Sequence, residues 1–448
     1  MTRKKKGKQG SKQTSPQNKR RYPHHRLFKS WLGRWILEDI TLKEIQSPSH
    51  STQKRMHQRM SLAANTTDRT LCDLPHPRRS AQLCMAYNAV GILPKDALED
   101  LIEMLAYKRL SLAQIEQETL EDPRFYEFWE AMGVTSVHNA LIGHRGSEQM
   151  VANLLFVTLD YIQQEEKIFT LTDAVNDAML NTDLSEGLST NMLQLPFPCC
   201  YLEFGTTRGL APLTVYNDTT GEHPLDGCYI RETVIKASDM AVVDYTADEL
   251  GFKHDEDVRE IFMLWTGVPQ PGATMGDDSN LYSFFYFPAD GDDVDLKACV
   301  EKQLELNAQT RQRFGASGEG YKALFEHTVK CLTYINSDAL RRDVRELDEA
   351  ERHRNAAGLS KRKAAIKKAN QSVNRIYIGP DSFEYQKYDG YALEHTGRTV
   401  RPHMRRGHLR AQAYGEGRRL RKPVLISPVM VMGGKSSDGP DSTQYIIN

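Results

Sequence analysis

The chain has 448 residues, 58 of them Lys or Arg and 59 of them Asp or Glu, and 40% of its residues are hydrophobic. This length and composition exclude a wholly disordered protein and a small fold that depends on disulfides, and they predict several globular domains. The sequence has no apolar stretch of membrane-spanning length and no apolar segment behind its basic N-terminus, which predicts a cytoplasmic protein without a membrane partner.

Charge is distributed very unevenly along the chain. Residues 1–37 contain twelve Lys or Arg and no carboxylate, and residues 361–425 carry a net charge of +11, whereas residues 38–360 carry −23. Clustered cations gain affinity for polyanions by releasing condensed counterions, so the basic ends predict contact with RNA or a ribosome. A solvated tail and a solvated helix face are the alternative reading.

The first half of the chain divides into three predicted parts. Residues 1–25 are polar and basic, which predicts a disordered arm. Residues 26–80 begin with an amphipathic helix that carries Trp31 and Trp35 and continue as a polar linker. In residues 81–185, apolar residues recur at spacings of three and four, which predicts a helical domain.

Residues 186–340 are expected to form an α+β domain. Short β-branched or aromatic segments predict an antiparallel sheet, with strands near 198–204, 227–235, 260–265 and 281–287. Two helices should follow, at 294–313 and 321–335, and cover one face of the sheet.

The C-terminal part is predicted to contain a charged helix or linker over 341–374, a small basic β module over 375–432 and a polar tail over 433–448. In this module the apolar segment 424–432 is predicted to form a strand. The fold class is therefore α+β, with a helical N-terminal region, an antiparallel sheet with covering helices, and a small C-terminal β module.

The segment RPHMRRGHLR at 401–410 is the most informative motif in the chain. Guanidinium groups bind phosphate bidentately, imidazoles can bind it in either charge state, and a tyrosine ring can stack on a base. Gly407 is expected at a bend or at a close approach of the backbone to a ligand. The candidate RNA-binding residues are Arg401, His403, Arg405, Arg406, His408, Arg410, Tyr414, Arg418 and Arg419.

The same segment contains residue types that metal-independent RNA cleavage needs. His403 and His408 could serve as general base and general acid beside an arginine at the phosphate. Binding without catalysis remains open, as does nonspecific contact with nucleic acid, and the sequence favours a binding protein over an enzyme.

No cofactor or metal site is predicted. The seven cysteines are odd in number and lack C-x-x-C spacing, which is typical of reduced, buried thiols. Cys199 and Cys200 are neighbours on a predicted strand and should point to opposite faces, so they do not suggest a shared metal.

Residues 401–408, a following Tyr-Gly pair and the apolar segment 424–432 resemble the C-terminal signature of a type V-A anti-CRISPR protein family. Weaker similarities occur at the sequence LPFPCCYLE, residues 195–203, and at CLTYINS, residues 331–337. The family tends to have a tryptophan where this chain has Leu409. The resemblance extends over residues 185–432.

Members of that family are carried by phages, plasmids and other mobile elements. The resemblance implies recognition of the nascent N-terminal peptide of a CRISPR effector nuclease during translation, followed by loss of its transcript. A nascent polypeptide would then bind the α+β body, and RNA or the ribosome would bind the basic ends. The resemblance leaves open whether a host nuclease is recruited.

Overall fold

The computed structural model describes residues 49, 51, 75–80, 86, 89–90, 92–129, 148–164, 166–205, 213–217, 220–237, 239, 247–253, 256–270, 279–289, 294–312, 318–337, 345–346, 375–379, 388–389 and 403–432. The predicted arm at 1–25, the helix with Trp31 and Trp35, the tail at 433–448 and most of 341–374 lie outside these residues. The described chain divides into two compact units, with residues 1–66 and 77–159 in the first and residues 67–76 and 160–448 in the second.

The described part of the first unit is helical. Its elements are α1 (His76–Arg79), at the boundary between the units, α2 (Lys95–Ala106), α3 (Leu112–Thr119), a 3-10 turn (Pro123–Phe125) and most of α4 (Glu148–Gln163). Ser111 begins α3 with a capping box, because its side chain accepts from the Gln114 amide while the Gln114 side chain accepts from the Ser111 amide. Leu101 and Leu105 on α2 and Ile115 on α3 are buried, as their helical spacing predicts.

The second unit is built around a mixed sheet of eight strands among the described residues. The strands are β1 (Ile168–Leu171), β3 (Cys199–Glu203), β4 (Thr214–Asn217), β5 (Gly221–Ile235), β6 (Val258–Gly267), β7 (Asn280–Pro288), β8 (Arg345–Glu346) and β9 (Arg375–Ile378). Their order in the sheet is β7-β6-β5-β3-β1-β9-β8, with β4 paired to β5.

The α+β class is confirmed, and the sheet is more complex than the sequence indicates. Strands β3, β5, β6 and β7 pair antiparallel, whereas β1 pairs parallel to both β3 and β9. Residues 375–378, which the sequence assigns to the terminal module, therefore form a strand of the main sheet.

Helices α5 (Asp173–Leu180), α6 (Ala247–Leu250), α7 (Leu296–Gln312) and α8 (Gly318–Ile335) complete the second unit. The two helices predicted after the sheet are confirmed as α7 and α8. On α8, Phe325 stacks on Phe285 of β7 with ring centroids 3.6 Å apart, and Thr328 accepts from the indole of Trp265 on β6 at 2.9 Å. These contacts fix α8 against one face of the sheet and place the main apolar core between them.

Two smaller sheets contain the remaining strands, β2 (Thr182–Leu184), β10 (Tyr388–Asp389), β11 (His403–Arg405), β12 (Gly407–Tyr414), β13 (Leu420–Ile426) and β14 (Val429–Met432). Their orders are β13-β12-β2 and β10-β14-β11. The predicted strand at 424–432 is thus two strands in different sheets, divided next to Pro428, which has no amide hydrogen to donate to a ladder. None of the helices in the described ranges combines the length and the apolar character needed to cross a membrane.

Candidate nucleic-acid interface

The arginine-rich segment forms an antiparallel hairpin, β12–β13, which we call the basic hairpin and define as residues 406–426. Its register pairs His408 with Ile426 at the open end and Tyr414 with Leu420 beside the turn. On the other side of β12, β2 pairs in parallel, with Asp183 beside His408. The hairpin is therefore the larger part of a three-stranded sheet.

One face of the basic hairpin packs on the core of the second unit. Leu409 is fully buried in that core, and Ala411 and Leu425 pack against it. Gly407 is closely surrounded by other atoms of the protein, since a Cβ there would lie 2.8 Å from the backbone oxygen of Ile426, from Pro428 Cδ and from Thr182 Oγ1. This packing fixes the orientation of the opposite face.

The opposite face, called the outer face here, carries polar and aromatic side chains. Because directly paired residues share a face, this face consists of four cross-strand pairs, His408 with Ile426, Arg410 with Val424, Gln412 with Lys422, and Tyr414 with Leu420. Arg410 donates to the side-chain oxygen of Gln412 at 3.0 Å, and the Lys422 ammonium lies 5.2 Å from the centroid of the Tyr414 ring. These contacts order the side chains while Arg410 and Tyr414 stay exposed.

Positive charge dominates the hairpin. Residues 406–426 contain six Lys or Arg and one carboxylate, Glu416. Arg406 forms an exposed ion pair with Asp183 of β2 at 3.2 Å. Since exposed ion pairs contribute little free energy, a phosphate can replace Asp183 at small cost.

The turn of the hairpin is shaped by backbone conformations that glycine favours. Gly415 and Gly417 have positive φ angles of 77° and 65°, and Arg418 follows with φ of 55°. The Arg418 amide donates to the Gly415 carbonyl at 3.1 Å. This compact turn presents Arg418 and Arg419 to solvent next to Leu420.

Most of the predicted RNA-binding residues lie together on this hairpin. They are Arg406, His408, Arg410, Tyr414, Arg418 and Arg419. His403 and Arg405 belong to β11, which pairs with β14 in a different sheet, and Arg401 lies outside the described residues. The two histidines proposed for catalysis are therefore on separate strands, divided by Arg406.

Comparison with known proteins identifies a family for this region. The family described as AcrVA2-like, anti-CRISPR type V subtype A2, matches residues 169–433, more than half of the chain. This protein belongs to that family. The match confirms the resemblance inferred from the arginine-histidine segment, and it runs from β1 to just beyond β14, so that it includes the whole basic hairpin. No curated protein and no solved structure matches the chain.

Within this AcrVA2-like region, Lys330 is an anchoring residue that the sequence did not reveal. Its ammonium, buried on α8, donates to the carbonyl of Thr182 on β2 at 2.9 Å, so that it ties the sheet of the basic hairpin to α8. Burial lowers the pKa of Lys330. A lysine between apolar residues on a helix gives no sign of a partner 148 residues away.

A buried Cys-His-Asn cluster in the same region has the residue types of a thiol catalyst but not their properties. His327 Nε2 lies 2.8 Å from Asn176 Oδ1 and 3.6 Å from Cys331 Sγ, so one nitrogen faces both partners. Burial holds the pKa of His327 at about 3 and raises that of Cys331 far above its usual value. A neutral thiol without access to solvent is a packing group. In the described part of the chain, no three His, Cys, Asp or Glu side chains come together as metal ligands.

Proposed function

We propose that this anti-CRISPR family member acts on translating messages, with the basic hairpin binding RNA and the α+β body binding a nascent polypeptide, so that a target transcript is reduced. The main support is the outer face and turn of the basic hairpin, where exposed arginines surround an exposed tyrosine on a rigid strand pair. The binding surface is preformed, so little ordering is needed when a ligand binds.

RNA fits the hairpin better than an acidic protein surface does. Arginine forks match phosphate oxygens bidentately, and phosphates recur at regular intervals along a nucleic acid strand. The exposed arginines are likewise distributed along the hairpin, from Arg406 at its open end to Arg421 after the turn. Ribosomal RNA would present the same phosphates as a message.

The proposed peptide contact is supported by charge. Residues 38–360 carry a net charge of −23, and much of the α+β body lies within them. A peptide with basic side chains or a free amino terminus would be attracted to such a body. This part of the proposal also follows the activity that the family resemblance implies.

The RNA part is tested with purified full-length protein and labelled RNA, measured over a range of salt concentrations. The hairpin variant combines Arg410→Ala on the outer face with Arg418→Ala and Arg419→Ala in the turn, all at exposed positions. If all three residues contact single-stranded phosphates, the slope of log K against log salt should become shallower by about 2.

A matched control removes three exposed lysines elsewhere in the same unit, by Lys253→Ala, Lys302→Ala and Lys322→Ala. The net charge of the two variants is the same, so only the position of the lost charge differs. Equal slopes for the two variants would remove the hairpin from the RNA interface.

Two further outcomes define the mechanism. RNA that is cut in the presence of EDTA, with the cutting lost in His408→Ala, would replace binding by endoribonuclease activity. Puromycin added to a translating lysate should release the protein from polysomes if a nascent chain holds it there. If the protein stays on polysomes after puromycin, it binds RNA there without recognising a nascent peptide.

A further inference from the structure

The tip of the basic hairpin exposes an apolar platform between its cations. Tyr414 and Leu420 form the last cross-strand pair before the turn, and they are 42% and 55% exposed. Large hydrophobic side chains with this exposure are few among the described residues, and Leu420 is directly flanked in sequence by Arg419 and Arg421.

The backbone of the turn keeps the platform open. Gly415 has a φ of 77°, and a Cβ at this position would lie 3.2 Å from Leu420 Cδ1. A side chain at position 415 would therefore press on Leu420 and would also strain the backbone. Because Gly415 has no side chain, Leu420 can stay beside Tyr414.

Cations lie on the same face as the platform. Lys422 is diagonal to Tyr414 on the outer face, with its ammonium 5.2 Å from the ring centroid. Arg410 is on the same face four residues before Tyr414, a separation of about 13 Å along a strand. A ligand that places a flat apolar group on the tyrosine therefore meets positive charge next to it and further along the strand.

We propose that the platform stacks one unpaired base of single-stranded RNA, while Lys422 contacts a phosphate beside that base and Arg410 contacts a phosphate further along the RNA strand. This inference rests on the proposed RNA binding and specifies its substrate as single-stranded. Bases in a duplex are stacked and paired inside the helix, so a duplex of the same charge could use the cations but not the ring.

The test compares binding of a single-stranded RNA of about 12 nucleotides, a length within the usual site sizes, with an RNA duplex that carries the same number of phosphates. We expect the unchanged protein to prefer the single strand. The variant Tyr414→Ser should weaken single-strand binding on the order of tenfold, because stacking on an aromatic ring contributes about 1–3 kcal/mol per base. Its salt dependence and its affinity for the duplex should not change.

Two variants control for effects unrelated to stacking. Tyr414→Phe retains the ring and should restore the preference for the single strand. Tyr216→Ser removes a tyrosine that is 56% exposed on β4 of the same unit and should leave both affinities unchanged. A fluorescent adenine analogue in the single strand should be quenched by the parent protein and by the Phe variant but not by Tyr414→Ser.

The inference is overturned if the parent protein binds the duplex as tightly as the single strand, or if Tyr414→Ser binds like the parent. It is also overturned if polyglutamate of equal charge displaces the single strand as well as unlabelled RNA does, because the site would then recognise charge alone. Failure of the proposed function would give different results: the parent protein would not bind RNA, or the three-arginine variant would have the same salt slope as the parent.

Discussion

Replacing Leu409 with alanine should destabilise the second unit strongly, because this residue of the basic hairpin is part of the main core. The side chain is fully buried. Removing its three terminal carbons forfeits roughly 2.5 kcal/mol of transfer free energy at about 0.8 kcal/mol per carbon. The cavity that remains adds to this loss, so the total should be about 3 kcal/mol, within the range of about 2–5 kcal/mol for Leu→Ala in cores.

Leu420→Ala is the matched control, since it makes the same change on the same hairpin at a side chain that is 55% exposed. Little transfer energy and no closed cavity are involved there, so the loss should stay below about 1 kcal/mol. Because a protein of two units need not unfold in one step, the second unit needs its own probe. Trp265 provides it when the other three tryptophans, Trp31, Trp35 and Trp129, are replaced by phenylalanine.

Urea unfolding of this background, followed by Trp265 fluorescence, gives both values. With a slope of about 3 kcal/mol per molar urea, Leu409→Ala should lower the midpoint by about 1 M. Equal midpoints for the two alanine variants would show that the hairpin is not packed into the core and is therefore not a rigid binding surface.

Three further predictions concern the same unit. Burial lowers the pKa of His327 from 6.5 to about 3, so between these pH values the unfolded chain binds a proton at this residue and the folded chain does not. The free energy of unfolding should therefore decrease as pH falls from 6.5 toward 3. The urea midpoint of His327→Gln should decrease less over this range than that of the parent protein. All five cysteines among the described residues are buried, so a thiol reagent should label at most two of the seven rapidly in the native protein and all seven in urea; rapid labelling of a third would contradict the core. Gly407→Ala should cost about 1–3 kcal/mol by the Trp265 probe, since its Cβ would overlap the backbone oxygen of Ile426, and an unchanged midpoint would disprove the close packing.

Local patterns predicted the elements that depend on local sequence. Helix α8 was predicted from its apolar spacing, and β5, β6 and β7 from short apolar or aromatic segments bounded by turn residues. The parallel centre of the sheet was not predicted. Strand β1 has only four residues, and its partner β9 is about two hundred residues away in sequence, so this pairing leaves no periodic signal.

The candidate site was predicted in composition but not in orientation. The sequence showed that Arg406, Arg410 and Tyr414 are close together, and the structure places them along one hairpin. If residues 401–410 formed one strand, polar side chains would occupy both of its faces. The break at Arg406 resolves this difficulty, because it starts a new strand in which Leu409 points into the core. The buried Lys330 that anchors β2 could not be inferred, since its partner is a backbone carbonyl.

The alternation along β12 connects the stability of the protein to its proposed binding. Each inward residue, such as Leu409, fixes the direction of the outward residue that follows it, such as Arg410. Arginines on a mobile tail could bind the same phosphates, but each would lose conformational freedom on binding, at about 0.5–1.5 kcal/mol per side chain. On the hairpin, part of this conformational freedom is already lost when the hairpin folds onto the core, so less is lost on binding. Loosening the core at Leu409 should therefore weaken RNA binding even though no contact to RNA is removed, and the weakening should disappear under conditions that restore the folded hairpin.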